Sequence, residues 1–183
     1  MLDGPIFLTG FMGVGKSQIG KLLARRLGRV FMDTDEMVEA RAGQSIFALF
    51  AAGGEERFRQ LERECLAEAV VSRLAVIALG GGAIVQEGSW EIIRRTSGVL
   101  VCLEADVDTI LERVNRSEDR PLLAGLSGEE KRGKIDHLLK VRAPFYARAD
   151  IKSLTSNDQA PEKVVEQLIQ RLEQWDADHR SGA

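Results

Sequence analysis

The residues with the clearest chemical meaning are Gly10–Ser17, which read GFMGVGKS. This is the pattern G-x-x-x-x-G-K-[ST], placed between a short apolar run and a stretch of helical periodicity. Glycines at this spacing let the backbone wrap around phosphate with its N–H groups inward, and the following helix adds the positive end of its dipole. The pattern predicts a triphosphate site in which Lys16 reaches the β- and γ-phosphates and Ser17 offers its hydroxyl to Mg²⁺.

This pattern argues against two other classes of nucleotide-binding protein. A lysine and a serine at the helix start serve a triphosphate and Mg²⁺ rather than the pyrophosphate of a dinucleotide. The GTPase motif N-K-x-D does not occur in the sequence, and no D-x-x-G follows any predicted strand. ATP is therefore the expected phosphoryl donor, and the residues predicted to bind it here are Gly13, Val14, Gly15, Lys16, Ser17 and Gln18.

Two carboxylates, Asp33 and Asp35, follow the second apolar run in the sequence DTD. Acids two residues apart at a strand end can face different partners, so one can serve a metal ion and the other a substrate hydroxyl. Either could instead cap the helix that follows, and the residues alone leave this choice open. The third apolar run ends in Gly80–Gly82 where many related folds carry a metal-binding acid, so the metal is predicted to depend on Asp33.

The three consecutive glycines and three arginines complete the candidate set. Gly80–Gly82 indicate a close approach of the backbone to a ligand, although a plain turn would also accept them. Arg59, Arg120 and Arg142 could each be solvated surface residues. Guanidinium groups nevertheless bind carboxylates in a bidentate manner and stabilise migrating phosphoryl groups, which is the chemistry that an anionic acceptor would require.

Hydrophobic periodicity predicts the elements that must position these residues. Short apolar runs predict strands at Ile6–Thr9, Val30–Asp33, Ala75–Leu79, Val99–Leu103 and Ile151–Leu154. Longer patterns predict helices at Lys16–Leu27, Glu36–Ala42, Ser45–Ala51, Glu55–Ser72, Ser89–Thr96, Val107–Val114, Lys134–Ala147 and Pro161–Asp176. This alternation predicts a three-layer α/β fold, a parallel sheet with helices on both faces and ligands at the carboxyl ends of its strands.

Length and composition bound the remaining possibilities. The 183 residues suit one domain, with a lid predicted at about 115–133 and a frayed tail at 176–183. The net charge of −3 gives no basis for nucleic-acid binding, and no apolar run is long enough to span a membrane. Two isolated cysteines, Cys65 and Cys102, are predicted to be buried and reduced, which favours the cytoplasm. We expect a monomer.

In combination, these motifs resemble the shikimate kinase family. The resemblance extends from about Pro5 to Leu172, and its matching pieces in order are GFMGVGKS, DTD, E-x-x-F-R at Glu55–Arg59, GGG, RPLLAG at Arg120–Gly125 and RAPFYARAD at Arg142–Asp150. It implies a five-stranded parallel sheet of the nucleoside monophosphate kinase type with a mobile lid. It also implies transfer of the γ-phosphoryl group of ATP to the 3-hydroxyl of shikimate, with Mg²⁺, to give shikimate 3-phosphate for aromatic amino-acid biosynthesis.

The resemblance implies a role for each motif. The acceptor would lie among Asp35, Arg59, Gly81, Gly82 and Arg142, with the arginines on its carboxylate and Asp35 on the attacking hydroxyl. The resemblance further implies that Ser17 and Asp33 organise Mg²⁺, that Lys16 and Arg120 stabilise the transferring group, and that adenine is contacted by Arg113 and Gln159. Two departures are Gln18, where a threonine is common, and KSLTSND after the last strand, where an Asp-Thr pair is usual.

Two rival functions remain open at this stage. One is a kinase for another small hydroxylated acid or a nucleoside, such as a gluconate or adenylate kinase. Asp35, Arg59 and Arg142 favour a carboxylated polyol over a nucleotide acceptor. The other rival is a ligand-sensing module that kept the fold without turnover, but such a module should lack transfer residues such as Lys16 and Arg120.

The lid hypothesis makes a prediction about Arg120. Lid closure would bring this cation onto the phosphates and exclude water, so Arg120→Ala should lower turnover while binding of the substrates persists. Steady-state turnover and equilibrium binding of both substrates would measure the two effects separately. Turnover near the wild-type value with normal binding would rule out this role.

Overall fold

Five parallel strands form one sheet in the computed structural model, which describes residues 2–52, 54–116 and 121–180. The strands are β1 (Ile6–Thr9), β2 (Val30–Asp33), β3 (Ala75–Ala78), β4 (Val99–Glu104) and β5 (Ile151–Leu154). Their order is β2-β3-β1-β4-β5, and every neighbouring pair is parallel. The predicted fold class is confirmed, and each strand lies within one residue of its predicted bounds.

Helices connect the strands and cover both faces of the sheet. In chain order they are α1 (Lys16–Leu27), α2 (Thr34–Ala42), α3 (Ile46–Ala51), α4 (Glu55–Ala69), α5 (Glu87–Arg94), α6 (Val107–Asn115), α7 (Gly128–Tyr146) and α8 (Pro161–Arg180), with 3₁₀ turns at Ala83–Val85 and Pro121–Leu123. Among the described residues, no helix combines the length and apolarity that crossing a membrane would need.

The central strand β1 shows why its sequence is apolar throughout. Ile6 and Leu8 pack into a cluster with helices α1, α6, α7 and α8, whereas Phe7 packs into a second cluster with α4 and α5. Successive side chains of a strand point to opposite faces, so a strand buried on both faces must be apolar at every position.

The two cysteines are free and buried, as predicted. They are Cys65 and Cys102, and burial raises the pKa of Cys102 to about 12.

Helices α2 and α7 begin earlier than their periodicity predicted, because each has a side-chain cap, and α5 begins two residues earlier, at Glu87, without one. The Asp33 side chain accepts a hydrogen bond from Asp35 N at 3.0 Å, so α2 begins at Thr34. Ser127 and Glu130 form a reciprocal capping box, so α7 begins at Gly128. Residues 128–133 are therefore helical, which corrects the predicted extent of the lid.

The rest of the predicted lid, residues 115–127, is described only in part. Asn115 is the last residue of α6, and Pro121–Leu123 form a 3₁₀ turn. Arg120 lies outside the described residues, together with residues 117–119.

The last helix is longer than its predicted bounds of Pro161–Asp176, and it overlaps the predicted frayed tail at 176–183. Helix α8 continues through Asp176 to Arg180. Contacts one helical turn apart support this extension: the rings of Trp175 and His179 stack with centroids 4.1 Å apart, and Gln174 donates to Asp178 at 2.8 Å. Residues 181–183 lie outside the described residues.

Candidate active site

The predicted functional segments meet at one edge of the sheet. Gly10–Ser17 follow β1, Asp33 ends β2, and Gly80–Gly82 follow β3. Since β2, β3 and β1 are neighbours and run parallel, their carboxyl ends lie side by side. The parallel sheet therefore brings these three segments close together although they are far apart in the sequence.

The phosphate loop has the backbone conformation that its glycines predicted. Gly10, Gly13 and Gly15 have φ angles of 132°, 80° and 97°. A Cβ at Gly10 would also lie 2.2 Å from the Leu103 carbonyl oxygen, so only glycine fits between the loop and the end of β4. Lys16 Nζ donates to Gly10 O at 2.9 Å and to Phe11 O at 3.1 Å, which places the ammonium group across its own loop.

Asp33 connects the phosphate loop to the start of α2. Ser17 Oγ donates to Asp33 Oδ2 at 2.6 Å, while Asp33 Oδ1 accepts from Asp35 N at 3.0 Å. The helix-capping role therefore occupies one carboxylate oxygen and leaves the other beside the Ser17 hydroxyl. Mg²⁺ prefers such hard oxygen ligands, so the pair fits the predicted magnesium site.

A cavity of about 520 Å³ brings the predicted metal and acceptor residues together. Its lining includes all of them: Ser17, Asp33, Asp35, Arg59, Gly81, Gly82 and Arg142. The lining also includes apolar side chains, among them Phe47 and Phe50 of α3 and Leu122 of the 3₁₀ turn. The cavity therefore combines charged and apolar side chains, as expected for the binding site of a small polar ligand.

Two guanidinium groups converge on Gly82. A Cβ at this glycine would lie 3.3 Å from both Nη atoms of Arg59 and 3.6 Å from Nη2 of Arg142. Arg142 is buried, and its Nη1 donates to Gly81 O at 2.9 Å. Tyr146 also donates to Gly81 O, at 2.8 Å, and burial raises the pKa of this phenol to about 12. The tyrosine hydroxyl stays protonated and helps to fix the glycine turn against α7.

Glu62 is the main site residue that the sequence analysis missed. Its side chain is buried and accepts from Arg59 Nη1 at 2.9 Å. A Cβ at Gly80 would lie 2.6 Å from Glu62 Oε1 and 2.7 Å from Asp35 Oδ1, so both carboxylates approach the same glycine. Burial raises the pKa of Glu62, Arg59 opposes the shift and Asp35 adds to it. Glu62 therefore holds Arg59 in place and partly neutralises it.

The pattern of α4 contained a signal for Glu62. The buried positions of this helix are Phe58, Leu61, Glu62, Cys65, Leu66 and Ala69. Glu62 lies within this apolar stripe, where an ionisable residue is almost never buried without a partner. An acid on the stripe, one turn from Arg59, predicts a buried ion pair.

The predicted nucleotide residues beyond the phosphate loop share a second cleft. This cleft of about 260 Å³ is lined by Val14, Gly15, Gln18, Arg113 and Gln159, among other residues. Arg113 Nη1 donates to Gly13 O at 3.1 Å, and burial lowers its pKa. Arg113 and Gln159 therefore line the cleft beside the phosphate loop, whereas Asp35, Arg59 and Arg142 line the larger cavity.

The geometry around Gly82 makes a specific prediction. Its φ of −111° suits any residue, so Gly82→Ala should fold normally while placing a methyl group where the arginines meet. We expect KM for a carboxylate acceptor such as shikimate to rise by about tenfold or more, because one displaced charge-assisted hydrogen bond is worth roughly 1.5–3 kcal/mol.

Gly133→Ala is the matched control for this substitution, because a Cβ at that position meets nothing within 4 Å. KM values for both substrates and a thermal melt would be compared among the three proteins. An unchanged acceptor KM in a folded Gly82→Ala variant would contradict the assignment of this space to the acceptor.

Comparison with known proteins agrees with the motifs over most of the chain. The family model described as shikimate kinase matches residues 12–173. A shikimate kinase of Moorella thermoacetica is 42% identical over 174 residues, covering 95% of this chain and 97% of the relative. A shikimate kinase of Symbiobacterium thermophilum is 40% identical over 171 residues, covering 92% and 96%.

Solved structures show the same relationship. A shikimate kinase from Acinetobacter baumannii, solved in complex with shikimate, superposes with a TM-score of 0.86 at 34% identity and covers 93% of each chain. A gluconokinase from Sinorhizobium meliloti has a TM-score of 0.66 at 15% identity, which shows a shared fold alone. The resemblance predicted from the motifs is confirmed: the chain belongs to the shikimate kinase family.

Proposed function

We propose that this chain transfers the γ-phosphoryl group of ATP to the 3-hydroxyl of shikimate, giving shikimate 3-phosphate and ADP. The observation that carries the proposal is the convergence of Arg59 and Arg142 on Gly82, in a cavity shared with Asp35 and Ser17. A nucleotide acceptor has no carboxylate for this pair. A small carboxylated polyol uses both the cations and the acid.

In this proposal, positively charged side chains bind the carboxylate of the acceptor and a negatively charged side chain binds its reacting hydroxyl. Arg59 and Arg142 would bind its carboxylate, since guanidinium groups match carboxylate oxygens in charge and shape. Asp35 would accept the hydrogen bond of the reacting hydroxyl and orient its oxygen toward the donor. The Gly81–Gly82 backbone would let the ring lie close to the chain.

The donor is held by the phosphate loop and the cleft beside it. Lys16 would exchange its bonds to the Gly10 and Phe11 carbonyl oxygens for the β- and γ-phosphates. Ser17 and Asp33 would hold Mg²⁺, which supplies positive charge to the phosphate oxygens when bound. Arg113 and Gln159 would contact the adenine end of ATP.

The chemical step is an in-line displacement without a covalent enzyme intermediate. The acceptor oxygen forms a bond to the γ-phosphorus, the bond to the β-phosphate oxygen breaks, and the hydroxyl proton passes toward Asp35. Positioning and charge neutralisation supply most of the rate enhancement in such transfers. We further propose that closure of the lid brings Arg120 onto the migrating group and excludes water.

We further propose that the chain acts as a monomer. Two reduced, buried thiols favour the cytoplasm as the compartment.

A coupled ADP-release assay tests the proposed acceptor. Shikimate, quinate and gluconate would be supplied separately with MgATP, and shikimate should give the highest kcat/KM because its ring carboxylate and 3-hydroxyl match the two ends of the cavity. Identification of shikimate 3-phosphate in the reaction mixture would complete the test. Activity on gluconate alone would overturn the assignment of the acceptor.

The role of Asp35 gives a second prediction. Asp35→Asn keeps the shape of the side chain but removes its charge, so kcat should fall by about 10²–10⁴ while ATP binding is retained. Asp136→Asn is a suitable control, because Asp136 is paired with Lys140 on the surface of α7. Near-normal turnover of Asp35→Asn would show that Asp35 is not the partner of the reacting hydroxyl.

A further inference from the structure

Thr155, the residue directly after β5, contacts the phosphate loop through its side chain. It is only 3% exposed, and its backbone N–H donates to Glu104 O at 2.8 Å, which extends the pairing of β4 and β5. Its hydroxyl oxygen lies 2.9 Å from Val14 O, 3.3 Å from Glu104 O and 3.1 Å from Arg113 Nη1. The single hydroxyl proton goes to the nearer acceptor, Val14 O, while the oxygen accepts from Arg113.

Arg113 contacts the neighbouring carbonyl of the same loop. Its Nη1 also donates to Gly13 O at 3.1 Å, and its Nε donates to Asn157 Oδ1 at 2.9 Å. Two consecutive carbonyl groups of the loop, those of Gly13 and Val14, are therefore bonded from the adenine side by a threonine and an arginine that are bonded to each other.

The planarity of the peptide bond gives this contact a consequence for phosphate binding. In a trans peptide the C=O and the following N–H point in opposite directions. The Gly13 carbonyl is held toward Arg113, so the Val14 N–H that follows it points the other way, into the loop. The Val14 carbonyl is held toward Thr155, so the Gly15 N–H is turned in the same manner. Val14 N–H there makes a long hydrogen bond to Phe11 O, at 3.4 Å, which a phosphate oxygen can readily replace.

We propose that Thr155 is a positioning residue for phosphate binding, which orients the Val14 and Gly15 N–H groups through the carbonyl groups behind them. The inference rests on the proposed ATP-dependent transfer and deepens its donor site. Thr155 also lines the cleft that Arg113 shares, but its proposed action on the triphosphate passes through the loop carbonyl groups, so loss of that action should be seen with any base. A residue that only shaped the adenine cleft would act on one base more than on another.

Three substitutions test this role in the full-length protein. Thr155→Val keeps the buried shape and removes the hydroxyl, Thr155→Ser keeps the hydroxyl, and Thr96→Val is the matched control. Thr96 Oγ1 also makes two hydrogen bonds, to Ile93 O at 2.8 Å and from Gly98 N at 3.1 Å, but it lies in the turn between α5 and β4 and lines neither the cavity nor the cleft of the site.

The measurements are kcat and KM with ATP and with inosine triphosphate, which differs from ATP in the base, together with KM for shikimate and a thermal melt. For Thr155→Val we expect kcat/KM to fall by about tenfold for both nucleotides, since the loss of one or two hydrogen bonds corresponds to roughly this factor. KM for shikimate should stay within about twofold, and Thr155→Ser should recover most of the loss. Thr96→Val should lower the melting temperature without changing KM for either nucleotide.

Several results would overturn the inference. These are unchanged nucleotide kinetics in Thr155→Val, a loss confined to ATP, an equal loss in KM for shikimate, or a Thr155→Ser variant as impaired as Thr155→Val. If Thr155→Val does not fold, Thr155→Ala is judged by the same criteria, and failure of both to fold would make Thr155 a purely structural residue. Turnover of shikimate by the wild-type protein in the same assay tests the proposed function separately.

Discussion

The carboxylate of Asp33 connects the phosphate loop to the start of α2, beside the cavity that contains the predicted acceptor residues. One of its oxygens accepts from Ser17, the last residue of the phosphate loop, and the other caps α2 through Asp35 N. Any shift of β2 relative to β1 would therefore move a predicted magnesium ligand and the predicted acceptor of the hydroxyl proton together. In phosphoryl transfer the catalytic contribution depends on fixed distances between donor and acceptor, and a single carboxylate that bonds to both sides restricts those distances.

Charge balance within the acceptor cavity imposes a second constraint. Two guanidinium groups near Gly82 would repel one another and lose hydration if they stood alone. Glu62 relieves this by pairing with Arg59 at 2.9 Å, while Arg142 donates to the Gly81 carbonyl oxygen. The cavity as a whole is lined by more acids than arginines, so the positive charge available to a carboxylate is local to Arg59 and Arg142 beside Gly82. Burial raises the pKa of Glu62 and proximity to Asp35 raises it further, while Arg59 opposes the shift.

The sequence predicted the parts of this structure that depend on short-range patterns. The bounds of β1, β3 and β4 followed from apolar runs, because a strand covered on both faces must be apolar at each position. The edge strands β2 and β5 are partly exposed, so this reason does not extend to them. The phosphate loop followed from glycines whose positive φ angles other residues rarely adopt. Helix ends were predicted less well, because capping depends on single side chains. Asp33 and Ser127 begin their helices ahead of the first periodic apolar residue, and paired contacts extend α8 beyond Asp176.

Residues whose importance depends on distant partners were the hardest to predict. The position of Glu62 in the apolar stripe of α4 indicates burial but not its neighbours Asp35 and Gly80, and Thr155 lies 141 residues from the Val14 carbonyl oxygen that it contacts. The pairing of Glu62 with Arg59 is local to α4, but the approach of Glu62 to Asp35 and Gly80 requires the order of strands in the sheet, as does the contact of Thr155 with Val14. Thr155 follows β5, the strand beside β4, and β4 lies beside β1, from which the phosphate loop begins. The sheet therefore brings a threonine near the end of the chain to a loop near its beginning, and the same parallel order that gathers the acceptor residues also supports the donor loop from behind.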